Sequence, residues 1–236
     1  SPLLALQGVH AHYGKSHILH GIDLTVNRGE VVSLLGRNGA GRSTTMKSIM
    51  GLVDVTAGQI TIEGRDITGK RPFEIARAGL GFVPEEREVF ANLTVDENLR
   101  MGEQPPRPDA PAWTIEQMFG YFPRLKERRN TRAGNLSGGE QQMLTMCRSL
   151  LGNPKVMLID EPTEGLAPKI VEVIADVIRD IHQRGVSVVL VEQKLTIALK
   201  VSTRVSVMGH GRIVFEGPPA QLHERQDVVQ ELSLIH

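Results

Sequence analysis

Apolar and polar positions along the chain change period several times, and each change marks an element. Leu3–Tyr13 and Ile22–Val26 alternate as half-buried strands do. Val31-Val32-Ser33-Leu34-Leu35 is almost continuously apolar, which predicts a strand covered on both faces. A turn rich in glycine follows from Gly36, then a helix from about Arg42 to Met50. Gln59–Ile62 and Gly81–Pro84 predict further strands. From about Glu97 to Leu151 the pattern is mostly helical, interrupted at Gln104–Pro111, where four prolines predict an exposed loop. Val156–Asp160 and Ser187–Val191 predict buried strands. Between them, Pro168–Gln183 places Ile170, Ile174, Val177, Ile178 and Ile181 on one helical face. Arg204–Met208 and Ile213–Glu216 flank a hairpin turn at Gly209–Arg212, and Pro218–Leu232 predicts a terminal helix. Strands alternating with helices predict an α/β fold with a mostly parallel sheet.

Composition narrows the function. The 236 residues suit one α/β domain, with 27 Lys+Arg against 27 Asp+Glu and a formal net charge of zero. No global basic field points to a nucleic-acid partner. The basic run Arg124–Arg132 reads as a solvated helix face, and His10, His12, His17 and His20 as exposed strand or loop histidines. Cys147 is the single cysteine, so an intrachain disulfide is excluded and a reducing compartment is expected. Ser1–Leu6 lacks a signal-peptide layout, and no apolar run approaches the ~18 residues of a membrane span. Any membrane role is expected to run through a partner.

Two segments carry phosphate chemistry. Gly36-Arg37-Asn38-Gly39-Ala40-Gly41-Arg42-Ser43 fits the phosphate-loop spacing G-x-x-x-x-G-K-S/T at every defined position but one. Glycines let successive N–H groups turn inward, and a helix start adds its positive end. Ser43 is placed to ligand Mg²⁺, with Thr44 following it in the helix. Arg42 stands where the pattern calls for Lys; it keeps the charge but is longer and fork-shaped. Further on, Leu136-Ser137-Gly138-Gly139-Glu140-Gln141 opens a helical stretch and offers a second anion site. The strand Val156–Ile159 then ends in Asp160 and Glu161. Asp160 suits a Mg²⁺ shell and Glu161 suits polarisation of an attacking water.

In this order and spacing, the phosphate loop, the Leu-Ser-Gly-Gly-Glu signature and the acidic strand resemble the ATP-binding subunits of ABC transporters over nearly the whole chain. The resemblance implies an ABC-type phosphate-loop NTPase core at about 1–96 and 152–236, with an N-terminal antiparallel β region. It also implies an inserted helical subdomain at about 97–151. The signature of one subunit (Ser137, Gly138, Gly139) would meet ATP bound by the other, so a homo- or heterodimer is implied. Tyr13 matches the adenine-stacking position, and Glu164-Gly165-Leu166 matches a loop that contacts the opposite subunit. Three positions depart from the commonest pattern: Arg42, Glu85 where Gln usually meets Mg²⁺, and Gln193 where His usually faces the γ-phosphate.

The details of Gly36–Gly41, Val83-Pro84-Glu85, Asn92–Val95, Glu161–Pro168 and Leu190–Gln193 resemble the LivF-type branch that serves branched-chain amino acid importers, where Gln at position 193 is usual. The implied function is an ATPase, with ATP and Mg²⁺ as cofactors, powering an importer for branched-chain or other hydrophobic amino acids. The implied partners are permease subunits and, indirectly, a solute-binding protein, with the chain peripheral on the cytoplasmic face of the cell membrane. Import of urea or amides, and a catalytically weak regulatory module, are the alternatives. ABC-type machines of DNA repair and translation usually carry a second ATPase half or long insertions, which this sequence lacks. Glu85–Asn92 is expected to line the groove that receives the permease, with Phe90 either a docking residue or part of the core.

Overall fold

The computed structural model describes residues 2–222, 224–225 and 227–228. Along the chain run β1 (Leu4–Tyr13), β2 (Ser16–Val26), β3 (Val31–Gly36), α1 (Arg42–Ile49), β4 (Asp54–Ile62) and β5 (Arg65–Asp66). Next come α2 (Pro72–Arg77), β6 (Leu80–Val83), α3 (Val95–Gly102), α4 (Ile115–Tyr121), α5 (Pro123–Glu127) and α6 (Gly138–Leu150). The chain continues through β7 (Val156–Asp160), α7 (Pro168–Gln183), β8 (Ser187–Val191), α8 (Leu195–Val201), β9 (Arg204–Gly209), β10 (Arg212–Gly217) and α9 (Pro219–Leu222).

Two sheets form, in the orders β2-β1-β4-β5 and β10-β9-β3-β8-β7-β6. The first is antiparallel; the second is parallel apart from β10. β3, β7 and β8 are buried at every position, as covered parallel strands must be. Leu4, Leu6, Leu19, Ile22, Leu34, Met46 and Ile60 close one core between the sheets. On the other face of the parallel sheet, Leu99, Phe122, Leu144, Ile174, Ile178 and Leu190 form a second. β6 and β7 are neighbours in the sheet, yet α3 to α6 intervene between them in the chain. Among the described residues, no helix is long and apolar enough to cross a membrane.

Some elements differ from expectation. β2 begins at Ser16 and β4 at Asp54, well before the alternation that the sequence shows. Register shifts in both pairings with β1 break the period of two, so polar and glycine residues there disguise the strands. The expected terminal helix is interrupted: Pro219–Leu222 forms one turn, Glu224 and Arg225 are not helical, Asp227 and Val228 are helical again, and residues 223, 226 and 229–232 lie outside the described residues. The mostly exposed 104–111 loop is tied down: Asn153 Nδ2 donates to the Gln104 carbonyl at 2.9 Å, and Arg107 Nη2 donates to the Ala76 carbonyl at 2.7 Å. The basic run is partly paired, Arg129 with Asp96 at 3.0 Å and Arg124 and Arg128 with the buried Glu140 at 3.5 and 3.6 Å.

Candidate functional site

β3 delivers the chain into the Gly36–Gly41 turn, and α1 takes it away. Gly41 caps α1 in the left-handed region at φ 105°, and a Cβ there would come within 2.8 Å of Leu19 Cδ2. Glycine is therefore required by both conformation and space. The turn between β9 and β10 braces the loop from behind. His210 and Gly211 have φ values of 50° and 75°, as a tight right-twisted hairpin needs. Gly211 N donates to the Ala40 carbonyl at 3.0 Å, and the Gly211 carbonyl accepts from His20 N at 2.9 Å.

A cavity of about 490 Å³ opens over this loop. Asn38, Gly39, Gly41, Arg42, Ser43 and Thr44 line it, and Glu85, Glu161 and Gln193 face them. Gly36 and Ala40 belong to the same turn. Ile18, Arg37 and Glu164 also line it; Ile18 and Arg37 carry no motif signal for this role. Asp160 is buried at the end of β7, where Ser43 hydrogen-bonds its carboxylate. Its Oδ1 is buried without a partner, and burial pushes its pKa up. A buried, unsatisfied carboxylate oxygen beside a serine hydroxyl is the donor chemistry of a hard cation, and Mg²⁺ takes one or two carboxylates together with substrate phosphates. These residues fit that ion.

Glu161 follows with φ 46°, a left-handed backbone rare for a non-glycine residue, pinned by its N–H to the Val191 carbonyl at 2.7 Å. Burial, and then the nearby charge of Glu85, push its pKa up to about 7. Gln193 Nε2 donates to Glu161 Oε1 at 3.0 Å and to Asn38 Oδ1 at 2.9 Å. Arg42, only 5% exposed, turns toward the acids: Nη2 lies 3.6 Å from Glu161 Oε1, and Nη1 donates to the Glu192 carbonyl at 3.3 Å. Glu161, Arg42 and the phosphate loop thus converge on one cavity.

Other predicted residues lie elsewhere. Ser137 caps α6 in a reciprocal box, Glu140 N donating to its Oγ at 3.2 Å and Ser137 N donating to Glu140 Oε1 at 3.0 Å. Neither Ser137 nor Gly138 nor Gly139 lines the cavity. Ser137 and Gly138 are exposed, while Gly139 packs so close that a Cβ would meet Ile170 Cδ1 at 2.6 Å. Tyr13 is 44% exposed at the tip of the β1–β2 hairpin and does not line the cavity; Ile18 of β2 does. The strand histidines are gathered together: His10 Nδ1 and His17 Nε2 are 2.9 Å apart, and His12 stacks on His17 with centroids 4.3 Å apart. Phe90 is 43% exposed beneath the Arg148 guanidinium, 4.6 Å from its ring centroid.

A parallel sheet that delivers a phosphate loop and two buried acids to one cavity defines a phosphate-loop nucleotide hydrolase. Residues 19–164 match the ABC transporter family, and the chain belongs to that family. It is similar to the high-affinity branched-chain amino acid transport ATP-binding protein BraG of Pseudomonas aeruginosa, at 42% identity over 93% of this chain and 94% of the relative. It is also similar to the probable branched-chain amino acid transport ATP-binding protein LivF of Archaeoglobus fulgidus, at 35% identity over 92% and 93%. The solved ADP conformation of an ATP-binding cassette of an ABC transporter has a TM-score of 0.84 at 27% identity, covering 99% of each chain. This chain is an ATP-binding subunit of an ABC transporter, an ATPase whose hydrolysis is coupled to transport. Such subunits dimerise and work with membrane permease subunits.

Proposed function

We propose that this chain powers an importer of branched-chain or other hydrophobic amino acids from the cytoplasmic face of the cell membrane, together with permease subunits and a solute-binding protein. The cargo rests on the 42% identity to a branched-chain amino acid transport ATP-binding protein. The hydrolytic role rests on one observation: Glu161, with a pKa near 7, is held by Gln193 at 3.0 Å across the cavity from the phosphate loop.

In this reading, the N–H groups of Gly36–Ser43 and of Thr44 in the first turn of α1 hold the phosphates, with Arg42 supplying charge. Ser43, Asp160 and Glu85 would hold Mg²⁺, which when bound neutralises charge on the phosphates. Glu161 orients the attacking water and takes its proton. Gln193 holds Glu161 and Asn38 in register but cannot itself titrate. Tyr13 offers an exposed aromatic face to adenine. The exposed start of α6, with Ser137, Gly138 and Gly139, serves the nucleotide of a second subunit, and residues from about 97 to 151 move as a helical subdomain. A groove of about 630 Å³ lined by Leu52, Phe73 and Phe82 is offered to the permease; of the Glu85–Asn92 run only Glu88 lines it, and Phe90 is exposed outside it.

Uptake of radiolabelled leucine, isoleucine and valine by cells carrying Glu161→Gln in place of the native chain tests the proposal. Uptake of all three should fall to background. Unchanged uptake of these solutes, with loss of urea or amide uptake, would assign the chain to the other cargo.

A further inference from the structure

The hydrolytic pair is carried by two separate segments, and one buried carboxylate ties them together. Glu161 leaves β7 and Gln193 leaves the end of β8, neighbouring parallel strands paired at Asp160 and Val191. Between them sits Glu192, only 3% exposed, with no obvious part in binding or hydrolysis. Both of its oxygens accept from the hydroxyl of the fully buried Thr163, at 3.0 and 2.9 Å. Oε1 also accepts from Lys194 N at 3.1 Å. Its main-chain carbonyl accepts from Arg42 Nη1 at 3.3 Å. Residue 192 therefore joins the phosphate-loop helix, the turn after Glu161 and the segment carrying Gln193.

We propose that Glu192 is a positioning residue for hydrolysis: through Thr163 and Lys194 N it fixes the separation of Glu161 and Gln193. Thr163 lies two residues beyond Glu161, whose backbone is held at φ 46°. A strained turn keeps its conformation only while its surroundings over-determine it. The Thr163–Glu192 contact is such a constraint, and it adds to the Glu161 N–H to Val191 bond, tying the turn to the end of β8 at a second point. A carboxylate in a buried position is costly unless its lone pairs are filled. Here the donors come from both segments, the Thr163 hydroxyl and Lys194 N, so moving either segment strips the buried carboxylate of a donor. Glu192 itself does not line the cavity, so its effect on chemistry runs through the residues it holds.

The inference rests on the reading of Glu161 and Gln193 as the hydrolytic pair. The test is steady-state ATP hydrolysis by the full chain, beside equilibrium ATP affinity and melting temperature, for Glu192→Ala, Thr163→Val, the double variant and Glu192→Gln. Each single variant should lower kcat by roughly tenfold or more, with ATP affinity within about twofold of wild type. The double variant should fall no further, because both changes remove one link. Glu192→Gln should keep at least about a third of kcat, since its amide can still accept from Lys194 N and bond Thr163. Wild-type kcat in Glu192→Ala would overturn the proposal. So would multiplicative losses in the double variant, or a Glu192→Gln chain as slow as Glu192→Ala. Thr163→Val, nearly isosteric, decides the matter if Glu192→Ala does not fold. Glu161→Gln run alongside separates the two ideas. If that variant is silent while Glu192→Ala turns over normally, only the positioning role fails. If Glu161→Gln turns over normally, the hydrolytic pair itself is wrong.

Discussion

Two helices of this protein begin beside glycines, α1 at Arg42 after Gly41 and α6 at Gly138, and their surroundings differ. α1 starts at the floor of a cavity, with buried Asp160 and Glu161 brought to it by the end of β7. α6 starts at the surface with a complete cap and does not line that cavity; its neighbour is Arg87 from the loop after β6, whose Nη1 lies 3.1 Å from where a Cβ on Gly138 would stand. The first is a nearly whole site in which carboxylates are held at raised pKa. In the reading we propose, the second is an anion-binding surface for the nucleotide of a second subunit. The contrast would then be that of a shared active site, with each chain carrying the chemistry in one place and a stabilising helix end in another.

The strongest way to break that comparison is Gly138→Asp. A carboxylate at a helix N-terminus is tolerated by the fold but repels a bound phosphate. Hydrolysis should fall by about a hundredfold with ATP affinity and melting temperature unchanged, on the scale of losing an oxyanion-type donor. A parallel loss of ATP affinity in the isolated chain would place α6 at this chain's own nucleotide. Arg42→Ala should do the reverse, weakening ATP binding tenfold or more, about 1–3 kcal/mol for a charge-assisted contact. Arg42→Lys should keep binding, and equal affinity of Arg42→Ala and wild type by titration would show that the loop binds through its backbone alone.

The raised pKa of Glu161 gives a third test. As a base it must be ionised, so kcat/KM, which reports the free enzyme, should rise about tenfold from pH 6 to 8 around a midpoint near 7. The linkage to stability has the opposite slope. The folded chain holds this proton above the ordinary value of 4.5, so the group's contribution is full below 4.5 and is lost as pH rises through about 7. Glu161→Gln should flatten that part of the melting-temperature profile; an unchanged slope would show that the proton sits elsewhere. The smallest effect is expected at Phe90. Being 43% exposed, its change to Ala should cost under about 1 kcal/mol, against about 3–5 for the buried Phe122→Ala. A large drop in melting temperature for Phe90→Ala would sink its docking role.

The α1 side was far more legible in the sequence than its setting. Continuous apolar runs such as Val31–Leu35 and Val156–Ile159 announce covered strands, and the spacing of Gly36, Gly41 and Ser43 announces the loop between strand and helix. Ile18 was missed because it reaches the cavity through tertiary placement from β2, and Arg37 because it occupies an undefined position of the loop pattern. The long starts of β2 and β4 were hidden by register shifts against β1. The direction of Arg42 could not be read either, since the loop pattern specifies the position of its Cα and not whether the guanidinium turns toward phosphate or toward Glu161. Glu192 stood in plain view beside Gln193, but its importance depends on Thr163, 29 residues away in sequence and 2.9 Å away in space.

The central claim is that this chain hydrolyses ATP with Glu161 as the base. Phosphate release by purified Glu161→Gln, measured beside its equilibrium ATP affinity and its elution on gel filtration, addresses it most directly. The account predicts ATP affinity like wild type, phosphate release reduced by about a hundredfold or more, and an ATP-dependent dimer that persists. Phosphate release at the wild-type rate from this variant would contradict it.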